Sequence, residues 1–178
     1  MNIGFVILNI LQGLLLSYLI LSALYLFVFS LAGTMKYKRT IISSKAQRKF
    51  AIIIPGYKED NVIVNVVTDA LKQNYPKNLF DILVIADSFE EQTLEDLKKI
   101  DIKLLEINPE RSSKAVALKA AFSFLPENYY DFALILDADN MMESDFLRKM
   151  NEAFNSSHNV FQAHRTAKNL NTPMSVLD

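Results

Sequence analysis

Asp137 and Asp139 stand two residues apart, directly after the apolar run Phe132 to Leu136. Side chains at i and i+2 leaving a strand share one side, because the side-chain period is two. Paired carboxylates are hard oxygen ligands of the kind Mg²⁺ or Mn²⁺ takes, with phosphate oxygens and water completing the shell. An ion held there would bridge protein and diphosphate and neutralise charge on a leaving group. The competing reading is a polar turn that caps a helix. Position weighs against it, since an unpaired charge beside a buried strand is costly.

The other candidate groups follow other strand-like runs. Pro55-Gly56-Tyr57-Lys58-Glu59-Asp60 comes after Phe50 to Ile54, Asp87-Ser88 after Ile82 to Ala86, and Asn108 to Lys114 after Ile102 to Ile107. A lysine in the first turn of a helix, as Lys114 is expected to be, opposes a dipole that favours anions, so an anionic ligand would relieve the conflict. Extension of Lys114 into solvent is the plainer alternative. Glu59, Asp60 and Asp87 could each cap the helix that follows, and Tyr57 could stack on a base or cover the core edge. After Gly33 the only glycine is Gly56, which rules out a Gly-rich phosphate loop, and no G-x-S-x-G elbow occurs. Any phosphate must then be held by metal and side chains. His158 and His164 have no partner at metal-ligand spacing, and the absence of Cys excludes thiolate sites and disulfides.

These groups need a scaffold that brings strand ends together. From Phe50 onward, short β-branched apolar runs alternate with helix-period segments, the pattern of a βαβ architecture with a mainly parallel sheet. The strands are expected at Phe50 to Ile54, Ile82 to Ala86, Ile102 to Ile107, Phe132 to Leu136 and Val160 to Ala163, each apolar enough for a buried position. Ile63, Val66, Val67, Ala70 and Leu71 fall at helical spacing before Pro76. A second helix is expected from Glu90 to Ile100. A third begins near Ser113 with Leu118, Ala121, Phe122 and Leu125 on one face, and a fourth after Glu143 offers Phe146, Leu147, Met150 and Phe154. In an open parallel sheet, ligands bind beyond the carboxyl ends of the strands, where all the candidates lie.

The first third of the 178-residue chain is different in kind. No charged residue occurs from Met1 to Met35, and Ile3 to Leu31 is long enough to cross a bilayer core of roughly 30 Å. The basic n-region of a signal peptide is missing, and the apolar run is longer than a signal core. Lys36, Lys38, Arg39, Lys45, Arg48 and Lys49 follow with no acidic residue among them, which places that flank in the cytoplasm and the N-terminus outside. From Phe50, 13 basic residues face 20 acidic ones, a balance that excludes nucleic-acid binding. The expected domains are therefore a transmembrane anchor (1–35), a basic cytosolic linker (36–49) and an α/β domain (50–178) of a cell-membrane protein.

In this order and spacing the residues resemble the GT-A domain of family 2 glycosyltransferases. The likeness rests on Ile53-Ile54-Pro55-Gly56-Tyr57-Lys58-Glu59-Asp60, Asp87-Ser88, Lys114-Ala115 with Ala117-Leu118, and Leu136-Asp137-Ala138-Asp139. It implies a Rossmann-like α/β sheet with flanking helices and a nucleotide-sugar donor, UDP-linked, bound with Mg²⁺ or Mn²⁺. Pro55, Tyr57, Glu59 and Asp87 would line the nucleoside pocket. Lys114 would lie by the diphosphate, Asp137 would contact the nucleoside end, and Asp139, with Asp137, would hold the metal. The implied reaction is inverting transfer, in which a carboxylate base deprotonates an acceptor hydroxyl, and the acceptor is a lipid-linked or polysaccharide chain at the membrane. The stretch Phe161 to Asn169 also resembles membrane-anchored members. The chain ends at Asp178 with no counterpart to the acceptor half, its base or a Gln-x-x-Arg-Trp-type motif, so the domain is expected to be incomplete and the catalytic base is unassigned. A binding-only or inactive fragment is the alternative function. A nucleotidyltransferase lacks its glycine-rich first loop here, and an Asp-x-Asp phosphatase would carry its pair after the first strand.

Overall fold

A computed structural model describes residues 2–34, 46–154 and 160–163. The chain divides into two units, Met1–Thr40 and Ile41–Asp178. The first contains one helix, α1 (Ile3–Gly33), long and apolar enough to cross a membrane. Asn2 caps it, its side chain accepting from the Gly4 N–H at 3.2 Å, and no residue of the helix is buried. A helix that is apolar on every face is one that belongs in an apolar surrounding, a protein core or a membrane.

The second unit is a four-stranded parallel sheet of order β3-β2-β1-β4, with β1 Phe50–Tyr57, β2 Phe80–Asp87, β3 Lys103–Ile107 and β4 Phe132–Ile135. The helices between and after them are α2 (Ile63–Ala70), α3 (Glu91–Lys98), α4 (Lys114–Phe124) and α5 (Phe146–Ala153). The central strands are apolar at nearly every position because both faces are covered. Phe50, Ile52, Ile54, Ile82 and Val84 face a core shared with Ile63, Val67, Leu97 and Leu147 of α2, α3 and α5. Ile53, Leu83 and Ile85 point the other way, onto Ala117 and Ala121 of α4. Each fully buried Ile or Leu among these contributes about 1.5–3 kcal/mol.

Four expectations are corrected. Val160 to Ala163 is not a strand; Val160 is exposed, and Phe161 instead sets its ring edge-on against Phe154 at 4.7 Å. β4 is not a central strand but an edge among the described residues: pairing of Ile53 with Ile135 turns Ile135 to the α4 side, yet α4 packs on β1 and β2 and leaves Ile135 47% exposed. Phe122 lies off the buried stripe of α4, which the small residues Ala117 and Ala121 occupy, and is exposed. Asp60 does not cap α2; its Oδ1 accepts from the Glu90 N–H at 2.9 Å, tying the β1–α2 loop to the start of α3. His158, residues 164–169 and the basic residues Lys36, Lys38, Arg39 and Lys45 lie outside the described residues.

Candidate functional site

The parallel register brings the carboxyl ends of the strands to one edge of the sheet, and a cavity of about 340 Å³ opens there. Its lining includes Pro55, Tyr57, Glu59, Asp87, Lys114, Asp137 and Asp139, the seven residues to which the resemblance gave roles, but not Lys58, Asp60 or Ser88. The remaining lining residues are Gly56, Ser112, Ser113, Ala117 and Ala138. The volume lies toward the small end of the range typical of ligand sites, about 300–1,000 Å³.

Gly56 and Ala138 are close neighbours in the lining. A Cβ at Gly56 would meet Phe89 Cζ at 2.6 Å and Ala138 Cβ at 3.8 Å, so the missing side chain is what lets the ring of Phe89 lie against β1. The next two loops carry residues in the left-handed region: Lys58 at φ 53° and Ser88 at φ 57°. Non-glycine residues pay a conformational cost there and tend to persist where the surroundings over-determine them. Here the Lys58 N–H donates to the Asp87 carbonyl at 3.1 Å, stitching the ends of β1 and β2 together.

Asp87 does not cap α3. It is 2% exposed, and its Oδ1 accepts from Ser88 Oγ at 2.9 Å and Ser112 Oγ at 3.1 Å. Tyr57 is half exposed and so does not cover the core; the Lys58 ammonium lies 5.3 Å from its ring centroid.

Lys114 is the first residue of α4, behind the cap Ser113, whose Oγ accepts from the Val116 N–H at 3.2 Å. The ammonium does not merely extend into solvent; it donates to Asp137 Oδ1 across the cavity. Asn140 Nδ2 lies 3.4 Å from Asp137 Oδ2, and the Asn140 N–H closes a turn onto the Asp137 carbonyl at 3.0 Å. The pair Asp137 and Asp139 therefore sits in a turn without capping a helix, since α5 starts only after Asp145. Asp139 is exposed and makes no ion pair or hydrogen bond among the described residues.

Gln73 and Asn74 pin the segment behind that turn. Gln73, 3% exposed, donates to the Glu143 carbonyl at 2.8 Å and accepts from the Leu147 N–H at 3.1 Å, satisfying an orphan donor at the start of α5. The Asn74 N–H donates to the Ser144 carbonyl at 2.7 Å.

As a cation site, this turn supplies two carboxylates and no third His, Cys, Asp or Glu among the described residues. That donor set suits an ion whose remaining ligands are phosphate oxygens and waters, the habit of Mg²⁺ and its neighbours. Ser112 and Ser113 lie in the stretch Asn108 to Lys114 that the sequence nominated, but had no individual role there; their only signal was their place between a strand end and a helix start.

Residues 47–178 match the family described as glycosyltransferase-like family 2. Among curated proteins, the poly(ribitol-phosphate) beta-N-acetylglucosaminyltransferase TarS of Staphylococcus aureus is 31% identical over 108 residues, which cover 56% of this chain and 18% of TarS. In solved structures, S. aureus TarS 1-349 superposes with a TM-score of 0.51 at 23% identity, covering 57% of this chain and 31% of that one. The mannosyltransferase PcManGT of Pyrobaculum calidifontis, solved with GDP-Man and Mn²⁺, gives 0.58 at 19% identity over 75% of this chain and 39% of that one. These structural likenesses concern the fold. The chain spans less than a fifth of the length of the curated relative.

Proposed function

The chain belongs to glycosyltransferase-like family 2, with a GT-A fold, and from that premise we propose that it binds the nucleotide-sugar donor of a membrane-anchored glycosyltransferase. One observation carries this reading: seven chemically suited residues from the carboxyl ends of four strands, or from the segments that follow them, line a single cavity at the carboxyl edge of a parallel sheet. Pro55, Tyr57, Glu59 and Asp87 take the nucleoside, Lys114 neutralises the diphosphate, and Asp137 contacts the nucleoside end.

Asp139, with Asp137, would hold a Mg²⁺ or Mn²⁺ ion, which when bound supplies charge neutralisation for the departing diphosphate. Lys114 acts in the same direction from the head of α4, adding a fixed positive charge that water does not have to reorganise around. The donor is a UDP-linked sugar, and N-acetylglucosamine is the first to test because the relative TarS carries that sugar in its name. Transfer inverts the anomeric centre, with a carboxylate base deprotonating an acceptor hydroxyl, and the acceptor is a lipid-linked or polysaccharide chain.

The expected domain division, an anchor at 1–35, a basic linker at 36–49 and the donor-binding domain from 50, gives the protein a cell-membrane location with the cavity on the cytosolic side. The basic run after α1 supports that orientation. Protease digestion of inverted vesicles should remove a C-terminal tag; full protection of the tag would overturn it.

The function is tested by calorimetry of UDP, with and without Mn²⁺, on the full chain in detergent and on Asp139→Ala. Metal-dependent binding lost in the variant is expected, and no binding under any condition would overturn the reading. Binding without sugar transfer would mark the chain as a donor-binding unit alone.

A further inference from the structure

We propose that α1 is a self-association helix, pairing with α1 of a second copy of this chain through the face that carries Asn9, Gln12, Gly13 and Ser17; the proposal rests on the reading of α1 as membrane-spanning. At 3.6 residues per turn these four positions fall within an arc of about 140°. Asn9 and Gln12 are the carboxamides of an uncharged, otherwise apolar helix. Ile3 to Leu8 precede them and Leu14 to Leu16 follow, so a spanning α1 carries both into hydrocarbon. Lipid supplies no hydrogen bond, and an amide without a partner is costly there. Asn9 meets part of that demand within its own helix, its Nδ2 donating to the Phe5 carbonyl at 2.9 Å. Its second N–H and its Oδ1 have no protein partner among the described residues, and neither has the Gln12 side chain.

Gly13 points to the same face by a separate route. A Cβ there would meet nothing within 4 Å, so no contact inside this chain calls for a glycine. Glycine nevertheless destabilises a helix interior relative to alanine. Ser17, one turn on, folds its Oγ back onto the Gly13 carbonyl at 2.8 Å, which satisfies the hydroxyl and leaves a low surface at both positions. Small residues four apart let two helix backbones approach closely in a bilayer. A second copy is the occupant that these groups fit. A carboxamide both donates and accepts, so Asn9 facing Asn9 across a two-fold axis exchanges a pair of hydrogen bonds, and Gln12 can do the same. No charged residue occurs from Met1 to Met35, so the face offers nothing to a charged partner helix. Copies inserted with one orientation run parallel, which sets like residues opposite each other.

The chain has no Cys, so a single introduced thiol reports its own position. Membranes from cells expressing the full chain are oxidised with copper phenanthroline. Leu16→Cys and Ile20→Cys, on the proposed face, should give disulfide-linked dimers, and Leu11→Cys and Tyr18→Cys, on the far side, several-fold fewer. Energy transfer between donor- and acceptor-labelled copies in phosphatidylcholine vesicles, read against lipid dilution, then gives the dissociation constant of the pair. Asn9→Leu combined with Gln12→Leu should raise it about tenfold, the scale of one or two interhelical hydrogen bonds. Gly13→Ile should raise it as well. Leucine is more apolar than either amide, so membrane insertion is not at risk in the double variant. Equal cross-linking at all four positions, or a dissociation constant that neither variant changes, would overturn the proposal and leave α1 as an anchor alone. Absence of energy transfer in wild type would overturn it too and assign the face to a different partner. Carbonate extraction of the same cell membranes separates the premise: release of the chain into the soluble fraction would remove the spanning reading and this proposal with it.

Discussion

Lys114, the first residue of α4, donates its ammonium to Asp137, the first carboxylate after β4, so that a cation and an anion from two loops face each other across the cavity. Both side chains keep partial contact with water, and an exposed pair of this kind contributes little to stability. Its interest lies in competition. A divalent ion would add positive charge beside Lys114, and a diphosphate would offer Lys114 a second anionic partner.

Replacing Lys114 by Met should therefore shift two affinities in opposite directions. Mn²⁺ alone should bind more tightly, by a few-fold, because a like charge has gone, while UDP in the presence of Mn²⁺ should bind about tenfold more weakly for want of a charge-assisted bond. Calorimetric titration of each ligand checks this. Equal UDP affinity in both proteins would mean that Lys114 serves Asp137 alone.

Gly56→Ala should deform the cavity lining. The added Cβ would lie 2.6 Å from Phe89 Cζ, a separation that forces the ring to move. Overpacking of this kind costs about 1–3 kcal/mol, to be read from denaturant unfolding. Adding Phe89→Leu should recover part of that loss and part of the nucleotide affinity; a double variant no better than the single one would place the cost elsewhere.

Gln73→Leu should destabilise the fold by about 1–3 kcal/mol, since it leaves the Leu147 N–H and the Glu143 carbonyl without their buried partner. Because those groups lie just beyond the turn of Asp137 and Asp139, weaker Mn²⁺-dependent binding should accompany the loss. Unchanged stability would show that water replaces the amide.

At the opposite end of the sheet, Tyr130 Oη donates to Asp81 Oδ2 at 2.6 Å, and Lys103 Nζ lies 3.2 Å from the same oxygen. Burial raises the Asp81 pKa, but the bonds from Tyr130 and Lys103 outweigh it and leave it lowered. A depressed folded pKa contributes stability above the unfolded value of about 4, and that contribution is lost as pH falls through the folded value. Lys103 is raised: burial lowers it, but Tyr130 and Asp81 more than compensate. Tyr130 is raised by burial and by Asp81. These two contributions are full below about pH 10 and disappear as pH climbs through the raised values. Unfolding free energy measured against pH should show a plateau bounded on both sides for wild type. Asp81→Asn should reduce the acid-side dependence, leaving the part carried by Asp96 and Asp145, whose pKa values are also lowered by their hydrogen-bond partners, and an unchanged acid limb would remove Asp81 from the account.

Much of the architecture could be read from one dimension. Apolar runs such as Ile52-Ile53-Ile54 and Ile82 to Ala86 declare strands covered on both faces, and the period of Ile63, Val66, Val67 and Ala70 declares a one-sided helix, because burial demands those patterns locally. The carboxyl-end rule then nominated the residues that line the cavity. It could not say how they pair. Asp60, Asp87 and Lys114 each had a sound local explanation in capping or solvent exposure, and each instead bonds to a group from another loop: Glu90, Ser112 and Asp137.

Sequence alone determined that this chain has an apolar helix of membrane-spanning length, a parallel α/β domain and a set of polar and charged residues gathered at the strand ends, since periodicity, length and charge are properties of neighbouring residues. Only the tertiary structure decided that β4 is an edge strand among the described residues with Ile135 open, that Phe122 is turned away from the core, and that Ser112 reaches Asp87. The physical reason is the same in each case. Strand order, the footprint of α4 and a hydrogen bond across 25 residues depend on which segments meet in space, and no local pattern encodes that meeting.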